Sequence, residues 1–249
     1  MNVENRAQVF VGESALHGNI QRYAERFDMV EVSGDPAKHP RRAVLTAWRR
    51  TAREDFAFSV VVPSSLAALD AGTATDELVT HAESVASALS ATWWVLRTPA
   101  TVTPNPRALR GLEALIGRLR TDERRIAWEP RGVWGDEESS RAAKSLGVHL
   151  VRDLSRQERV DDDDVVYCRL RALGEGTRIG AGAAERVAER LESASAAYVV
   201  VEGSGAATVR RVLREMAGSA LGHDEDESDD DELDENEEES IEDDGEDSE

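Results

Sequence analysis

The sequence predicts an α/β protein of the TIM-like (β/α)₈ barrel class, followed by a disordered acidic C-terminal tail. Eight short apolar runs alternate with segments in which apolar residues recur at helical spacing. The runs lack the in/out alternation of a half-exposed sheet, as expected for parallel strands that are buried on both faces. An open doubly wound sheet is the alternative. The barrel is favoured because the helical segments are short and no glycine-rich phosphate turn follows the first strand.

The eight strands are predicted from runs of four to seven residues that are rich in β-branched and aromatic side chains. They lie at 9–12, 29–32, 56–62, 92–96, 125–128, 148–151, 165–170 and 197–201. Pro63 ends the third strand because it has no backbone N–H to donate. Gly147 ends a helix and leads directly into the sixth strand.

Helices are predicted in all but one of the connections between strands. In the first connection Leu16, Ile20, Tyr23 and Phe27 share one helical face. Asn105, followed by Pro106, predicts the start of a later helix, because the Asn side chain can accept an orphan backbone N–H. Inward positions on four helices are predicted for Val44, Leu45, Trp48, Leu78, Val79, Val85, Leu89, Leu109, Leu112, Leu115, Ile116, Leu119, Val209, Val212, Leu213 and Met216. The exception is the sixth connection, 152–164, which shows no convincing helical pattern.

Charge divides the chain into a barrel domain at 1–221 and a tail at 222–249. The net charge is −20, but 19 of the 50 acidic residues follow residue 223, which leaves 31 acids against 30 Lys and Arg. A nearly neutral body offers no basic face for nucleic acid. The tail cannot bury enough apolar surface to order itself. Three roles remain open for it: solubility, a tether for a basic protein partner, or an autoinhibitory mimic of nucleic acid.

Composition also bounds the chemistry. The single cysteine, Cys168, excludes an internal disulfide, and its apolar surroundings favour a buried hydrophobe over a nucleophile. No cofactor or metal is expected, because the histidines are dispersed and no P-loop, CxxC or Ser-His-Asp pattern occurs. No run reaches the ~18 apolar residues of a membrane helix, and 1–6 lacks the apolar core of a signal peptide. We therefore expect a cytoplasmic protein without membrane contact.

Reactive groups of such barrels lie where the strands end and the following loops begin. That rule selects Glu31 and Glu129 as candidate catalytic acid/base residues. Arg131 and Arg169 are candidate ligands of an anionic group, because a guanidinium binds oxyanions bidentately. The rule also selects Gly12, Glu13, Arg152, Asp153, Arg171 and Glu202. An internal set of Glu–Arg ion pairs that fixes the loops is an equal alternative.

One stretch joins several of these features. Arg125 to Trp128 is an apolar strand that ends in Glu129-Pro130-Arg131, with Trp134 three residues further on. Trp134 is expected to line the mouth of the barrel and contact a ligand, although plain packing is the alternative for all the tryptophans.

The order of these motifs resembles the DUF72 family, the YecE-like proteins, over roughly residues 9–217. The match includes the glycine-ended first strand and the segment from Tyr23 to Val32, which runs from a helix into a valine-glutamate strand. It continues through Trp48 with the phenylalanine-rich strand that follows it. The later matching positions are Glu129, Arg131, Trp134, Asp153, Arg169 and Leu170. The resemblance implies a (β/α)₈-like barrel and supports Asp153 as a further ligand-binding residue.

Other positions depart from the family pattern. Glu13-Ser14-Ala15 replaces Ser-Gly-Trp, and Ser33-Gly34-Asp35-Pro36 replaces an Asn with a Phe-Tyr pair. Pro63-Ser64 stands where Thr-His is usual, and Arg171-Ala172 replaces His-Gly. The ionic set is therefore kept while the His and aromatic pocket residues are not. The resemblance implies a divergent member without a settled activity, which binds or hydrolyses a small polar or anionic ligand. The alternative is a non-catalytic binding or scaffold barrel whose acidic tail engages a basic partner.

Overall fold

The computed structural model describes residues 8–70, 72, 75–159, 163–172 and 178–219, with side chains up to 217. Eight parallel strands form one sheet in the order β6-β5-β4-β3-β2-β1-β8-β7. The strands are β1 (Gln8–Glu13), β2 (Met29–Ser33), β3 (Ala57–Val61), β4 (Trp93–Thr98), β5 (Arg125–Pro130), β6 (His149–Leu150), β7 (Val165–Arg171) and β8 (Ala196–Glu202). The predicted barrel is thereby confirmed. The predicted acidic tail lies outside the described residues.

Eight helices are present in the described part of the chain. They are α1 (Ile20–Arg26), α2 (Arg42–Thr51), α3 (Ser64–Ala67), α4 (Thr75–Leu89), α5 (Pro106–Leu119), α6 (Asp136–Leu146), α7 (Ala181–Leu191) and α8 (Ala206–Ser219). The Asn105 side chain accepts from the backbone N–H groups of Arg107 and Ala108, as predicted for the start of α5. Gly147 ends α6 in the left-handed conformation, with φ 62°. None of these helices is long and apolar enough to span a membrane.

The barrel closes between β6 and β7 by one bridge. Strand β6 has only two residues, and the pairing continues as a single bridge between Arg152 and Cys168. The Arg169 N–H donates to the Arg152 carbonyl at 3.0 Å. The described residues between the two strands form turns and no helix. This connection is the one for which the sequence predicts no helix.

Side chains inside and outside the barrel form two cores. Outward-facing residues such as Phe58, Trp94 and Trp128 pack under the helices. Inward-facing residues such as Met29, Trp93 and Tyr198 fill the lower interior, toward the amino ends of the strands. Trp93 meets the Tyr167 and Tyr198 rings edge-on at centroid distances of 5.0 and 5.1 Å.

Gly12 permits a close approach of β1 to β2. A Cβ atom at this position would lie 1.9 Å from the carbonyl oxygen of Met29. Glycine at position 12 therefore has a packing role, because a side chain of any size would collide with β2 at this point.

Asp28, at the amino end of β2, holds several elements together. Its buried carboxylate accepts from Arg210 at 2.8 and 3.0 Å, from Arg53 at 2.6 Å and from Arg214 at 2.8 Å. The Val11 N–H also donates to it at 3.3 Å. One carboxylate thus joins α8 and the α2–β3 connection to the base of the barrel.

Several local predictions were wrong. Helix α1 begins at Ile20, so Leu16 lies in the preceding loop, although it still packs against the core. Val44 and Leu109 were predicted to face inward but are 42% and 37% exposed. The short helix α3 was not predicted, and β6 is half the predicted length. Leu16, Val44 and Leu109 lie near the amino ends of helices, where side-chain periodicity alone is a poor guide to burial.

Candidate functional site

A layer of charged side chains crosses the barrel interior above the aromatic residues. Strand alternation places it there, because residues two apart on a strand face the same side. Glu129 follows Ala127, Arg169 follows Tyr167, and Glu202 follows Val200 in this way. We call this set the ionic layer; its members are Glu31, Arg97, Glu129, Arg169, Arg171 and Glu202.

Arg169 is the centre of the ionic layer. Its guanidinium is fully buried and contacts three carboxylates from three other strands. Nη2 donates to Glu31 Oε1 at 2.5 Å, Nε donates to Glu129 Oε2 at 2.8 Å, and Nη1 donates to Glu202 Oε1 at 3.1 Å. Tyr167 also donates to Glu31 Oε1, at 2.8 Å, whereas Glu31 Oε2 has no partner among the described residues.

Two further arginines cover the carboxylates from the solvent side. Arg97 forms an ion pair with Glu129, with Nε 3.1 Å from Oε2, and donates through Nη2 to Glu202 Oε1 at 2.9 Å. Arg171 donates to Glu129 Oε1 through Nη2 and to Glu202 Oε2 at 3.2 Å through Nε. Arg131, which is half exposed, places its Nε 3.5 Å from Glu129 Oε1. Glu129 therefore faces four guanidinium groups.

Burial and neighbouring charges shift the pKa values of Glu202, Arg169 and Tyr167. Burial alone would raise the pKa of Glu202, but Arg169, Arg97 and Arg171 outweigh it and hold the pKa below its ordinary value. Burial lowers the pKa of Arg169, yet the neighbouring Glu31 and Glu129 carboxylates raise it further, so the guanidinium stays charged. Burial and then Glu31 raise the pKa of Tyr167 well above its ordinary value, so the phenol is a hydrogen-bond donor here.

A polar cavity of about 160 Å³ opens beside this layer, at the carboxyl ends of β5, β6 and β7. Its walls include Glu129, Asp153, Arg169 and Arg171. Arg171 Nη1 makes no hydrogen bond within the described part of the chain, and its side chain is 35% exposed. A guanidinium with unused N–H groups at the wall of a polar cavity can bind an oxyanion.

Arg152 and Asp153, which follow β6 in the chain, form another part of the wall. Asp153 accepts from the Ser155 N–H and hydroxyl at 3.1 and 2.5 Å, and from the Arg171 N–H at 3.1 Å. Arg152 binds Asp136 at 3.0 Å and the Ser140 hydroxyl at 2.9 Å. Asp153 therefore shapes the loop and fixes the backbone of Arg171.

Trp134 forms another side of the cavity. Its indole N–H donates to the Val102 carbonyl at 2.7 Å, and its ring meets Trp128 edge-on at 4.9 Å. Gly132, with φ 87°, makes the turn that returns the chain to this position, and a Cβ on it would lie 2.8 Å from Ala100. Trp134 thus has a packing role as well as a face on the cavity.

The structure brings most of the predicted site residues together. Glu129, Asp153, Arg169 and Trp134 line the cavity. Glu31 lies below it, with a side chain that is fully buried against Arg169, and Arg131 reaches the layer only through Glu129.

Arg97 is the member of the ionic layer that the sequence prediction missed. The prediction ended the fourth strand at Leu96, whereas β4 continues to Thr98. A search for the first charged residue after each apolar run would have found it. No group of three or more His, Cys, Asp and Glu in the described ranges is arranged to hold a metal ion.

The closed sheet and the ionic layer at its carboxyl end define a (β/α)₈-barrel protein with a polar site at its mouth. Within that class, the chain belongs to the DUF72 family, described as proteins of unknown function, whose profile matches residues 6–230. The family resemblance read from the motifs is confirmed. None of the curated proteins matches the chain significantly.

Solved structures share the fold at low sequence identity. A DUF72 family protein from Thermotoga maritima superposes with a TM-score of 0.63 and 17% identity, covering 85% of this chain and 99% of that chain. One from Enterococcus faecalis gives 0.65 and 15%, with 87% and 99% covered. A xylose isomerase domain protein from Planctomyces limnophilus gives 0.52 and 11%, with 86% and 95% covered. At these identities the likeness establishes the fold alone.

Proposed function

We propose that this barrel binds a small polar anion in the cavity at its mouth and does not hydrolyse it. The observation that carries the proposal is Arg171 Nη1, which makes no hydrogen bond to the described residues and belongs to the wall of a polar cavity of about 160 Å³. That volume is below the ~300–1,000 Å³ of pockets for drug-sized molecules, so the ligand is small. A carboxylate or phosphate group would face Arg171, and the remaining polar atoms would face Asp136 and Gln157.

The state of the carboxylates argues against hydrolysis. A general base needs an oxygen that is free to take a proton from substrate or water. Both Glu129 oxygens already accept from arginines, and both Asp153 oxygens accept from Ser155 or Arg171. Glu31 keeps one oxygen without a partner in the described residues, but its side chain is sealed below Arg169. The same geometry suits ligand recognition, because charged side chains that are already held in place lose little conformational entropy when a ligand binds.

The test is isothermal titration calorimetry of the full chain with four probes. Inorganic phosphate, glycolate and glycerol 3-phosphate carry the anionic group, and glycerol is the uncharged control. We expect at least one anion to bind and glycerol to give no heat. Arg171→Gln should weaken that binding by at least about tenfold, since a hydrogen bond to a charged group contributes about 1.5–3 kcal/mol. Arg110→Gln, on the exposed face of α5, is the matched control and should bind as the wild type does.

Two results would overturn the proposal. Equal affinities for the wild type and Arg171→Gln would place the anion elsewhere on the protein. Release of inorganic phosphate from glycerol 3-phosphate, lost in Glu129→Gln, would show that the site is hydrolytic.

A further inference from the structure

A second, smaller cavity lies in the seam between β6 and β7. Its volume is about 20 Å³, which holds one water-sized occupant. Residues from both strands and from their connection line it, among them His149, Arg152, Arg159, Val166 and Cys168. It is distinct from the mouth cavity, although Leu150 and Arg152 contribute to both walls.

Two guanidinium groups at this cavity have an unused donor. Arg152 uses its terminal nitrogens for Asp136 and Ser140, and Arg159 uses its own for the Ser193 hydroxyl, at 2.7 Å, and the Asp163 carbonyl. The Nε atoms of Arg152 and Arg159 are buried and have no acceptor in the described part of the chain. Arg152 is only 6% exposed. A buried donor without an acceptor is costly, and more so on a charged group.

The occupant that satisfies these groups is an acceptor. Arginine nitrogens only donate, and Leu150, Leu154 and Val166 form an apolar part of the wall, which His149 and Asp163 also line. A water molecule would need acceptors for its own two hydrogens. The described wall offers the Asp163 carboxylate, which lies 3.3 Å from His149 Nδ1. A monatomic anion needs donors alone, and Arg159 has no carboxylate partner among the described ion pairs.

We propose that the seam binds one monatomic anion, chloride under ordinary conditions, between the Nε–H groups of Arg152 and Arg159. The anion would link two residues of the β6–β7 connection, Arg152 at the single backbone bridge to Cys168 and Arg159 further along the chain. It would therefore stiffen this connection next to the point where the barrel closes. This inference does not depend on ligand binding at the mouth.

The experiment has a structural and a thermodynamic readout. Crystals of the full chain grown or soaked in bromide should show an anomalous peak within hydrogen-bonding distance of both Nε atoms. In solution, replacing sodium gluconate by sodium chloride or bromide at constant ionic strength should raise Tm saturably, by about 2–4 °C. Arg159→Met keeps the aliphatic stem, removes the donor and should abolish the halide-specific shift.

Two controls separate this site from others. Arg171→Gln should keep the halide shift, which shows that the effect does not come from the mouth. Arg110→Met, on exposed α5, should keep it as well. The proposal is rejected if the wild-type crystal shows no bromide peak at the seam, whether the density there is water or nothing. It is also rejected if gluconate and chloride give the same Tm.

Discussion

Arg169 on β7 and Glu31 on β2 form an ion pair inside the barrel in which both side chains are fully buried, with Nη2 2.5 Å from Oε1. Desolvation of two buried charges opposes their attraction, so such a pair contributes little net stability over an apolar pair. Its effect becomes large when one partner is removed, because the other charge is then buried alone. The Tyr167 hydroxyl also donates to this Glu31 oxygen, and the hydrogen bond further fixes the position of the carboxylate.

Arg169→Met should therefore lower the free energy of unfolding by about 3–5 kcal/mol, since Glu31 and Glu129 lose their shared cation. Urea denaturation followed by circular dichroism measures this loss. Adding Glu31→Gln to Arg169→Met should restore part of it, because one stranded charge disappears. A double variant that is less stable than Arg169→Met would contradict the ion-pair account.

Gly12→Ala should destabilise the protein by at least about 3 kcal/mol or prevent folding, because the added methyl group overlaps the Met29 carbonyl. Thermal unfolding of soluble material gives the measurement. Gly117→Ala in α5 is the control: nothing lies within 4 Å of its Cβ position. That substitution should stabilise by up to about 1 kcal/mol, since alanine favours the helix. Similar losses at both positions would refute the packing argument.

Asp28→Asn should cost about 2–4 kcal/mol, because three arginines lose the one buried carboxylate that joins them. Asp55→Asn tests the same kind of pair at the surface, since Asp55 binds Arg53 at 2.8 Å but is 73% exposed. We expect a change within about 0.5 kcal/mol there. Chemical denaturation of both variants in one buffer measures the loss in free energy of unfolding for each. Equal losses would contradict the special role of the buried Asp28 carboxylate.

His149 should make stability depend on pH. Burial lowers its pKa; Asp163 opposes this shift and Arg125 adds to it. The native imidazole thus stays neutral at a pH where the unfolded one, with a pKa of about 6.5, takes up a proton. Its contribution is present above about pH 6.5 and is lost as the pH falls toward the lower native pKa.

The pH dependence is measured as the free energy of unfolding between about pH 7.5 and pH 5. His149→Asn should flatten the slope, whereas His17→Asn, at an exposed position, should leave it unchanged. If the free energy of unfolding of His149→Asn depends on pH as steeply as that of the wild type, the pH dependence comes from other groups.

Local features of this fold were predictable from the sequence, and the site was predictable only in part. Asn105 and Gly147 act through their own backbone neighbours, so their roles follow from a few adjacent residues. The charged residues after the apolar runs indicated the mouth, because parallel strands in a barrel all end on one side. Glu129 and Arg169 were found in this way.

The depth at which each charged side chain lies within the barrel was not predictable. Glu31 and Arg171 both lie near the ends of strands, yet one is sealed and the other is 35% exposed. That difference comes from the stagger between neighbouring strands, which a single sequence does not reveal. Arg97 was missed for a related reason: its strand continues two residues past the last apolar side chain.

All six members of the ionic layer belong to strands, and none comes from a loop. The polar floor of the mouth is therefore built by the scaffold itself, independently of the segments above it. The loops after β2, β4 and β8 could be exchanged for foreign ones while Arg169 and its three carboxylates keep their positions. The strands thus provide a fixed charged base, and different recognition loops can be placed above it by protein engineering or by evolution.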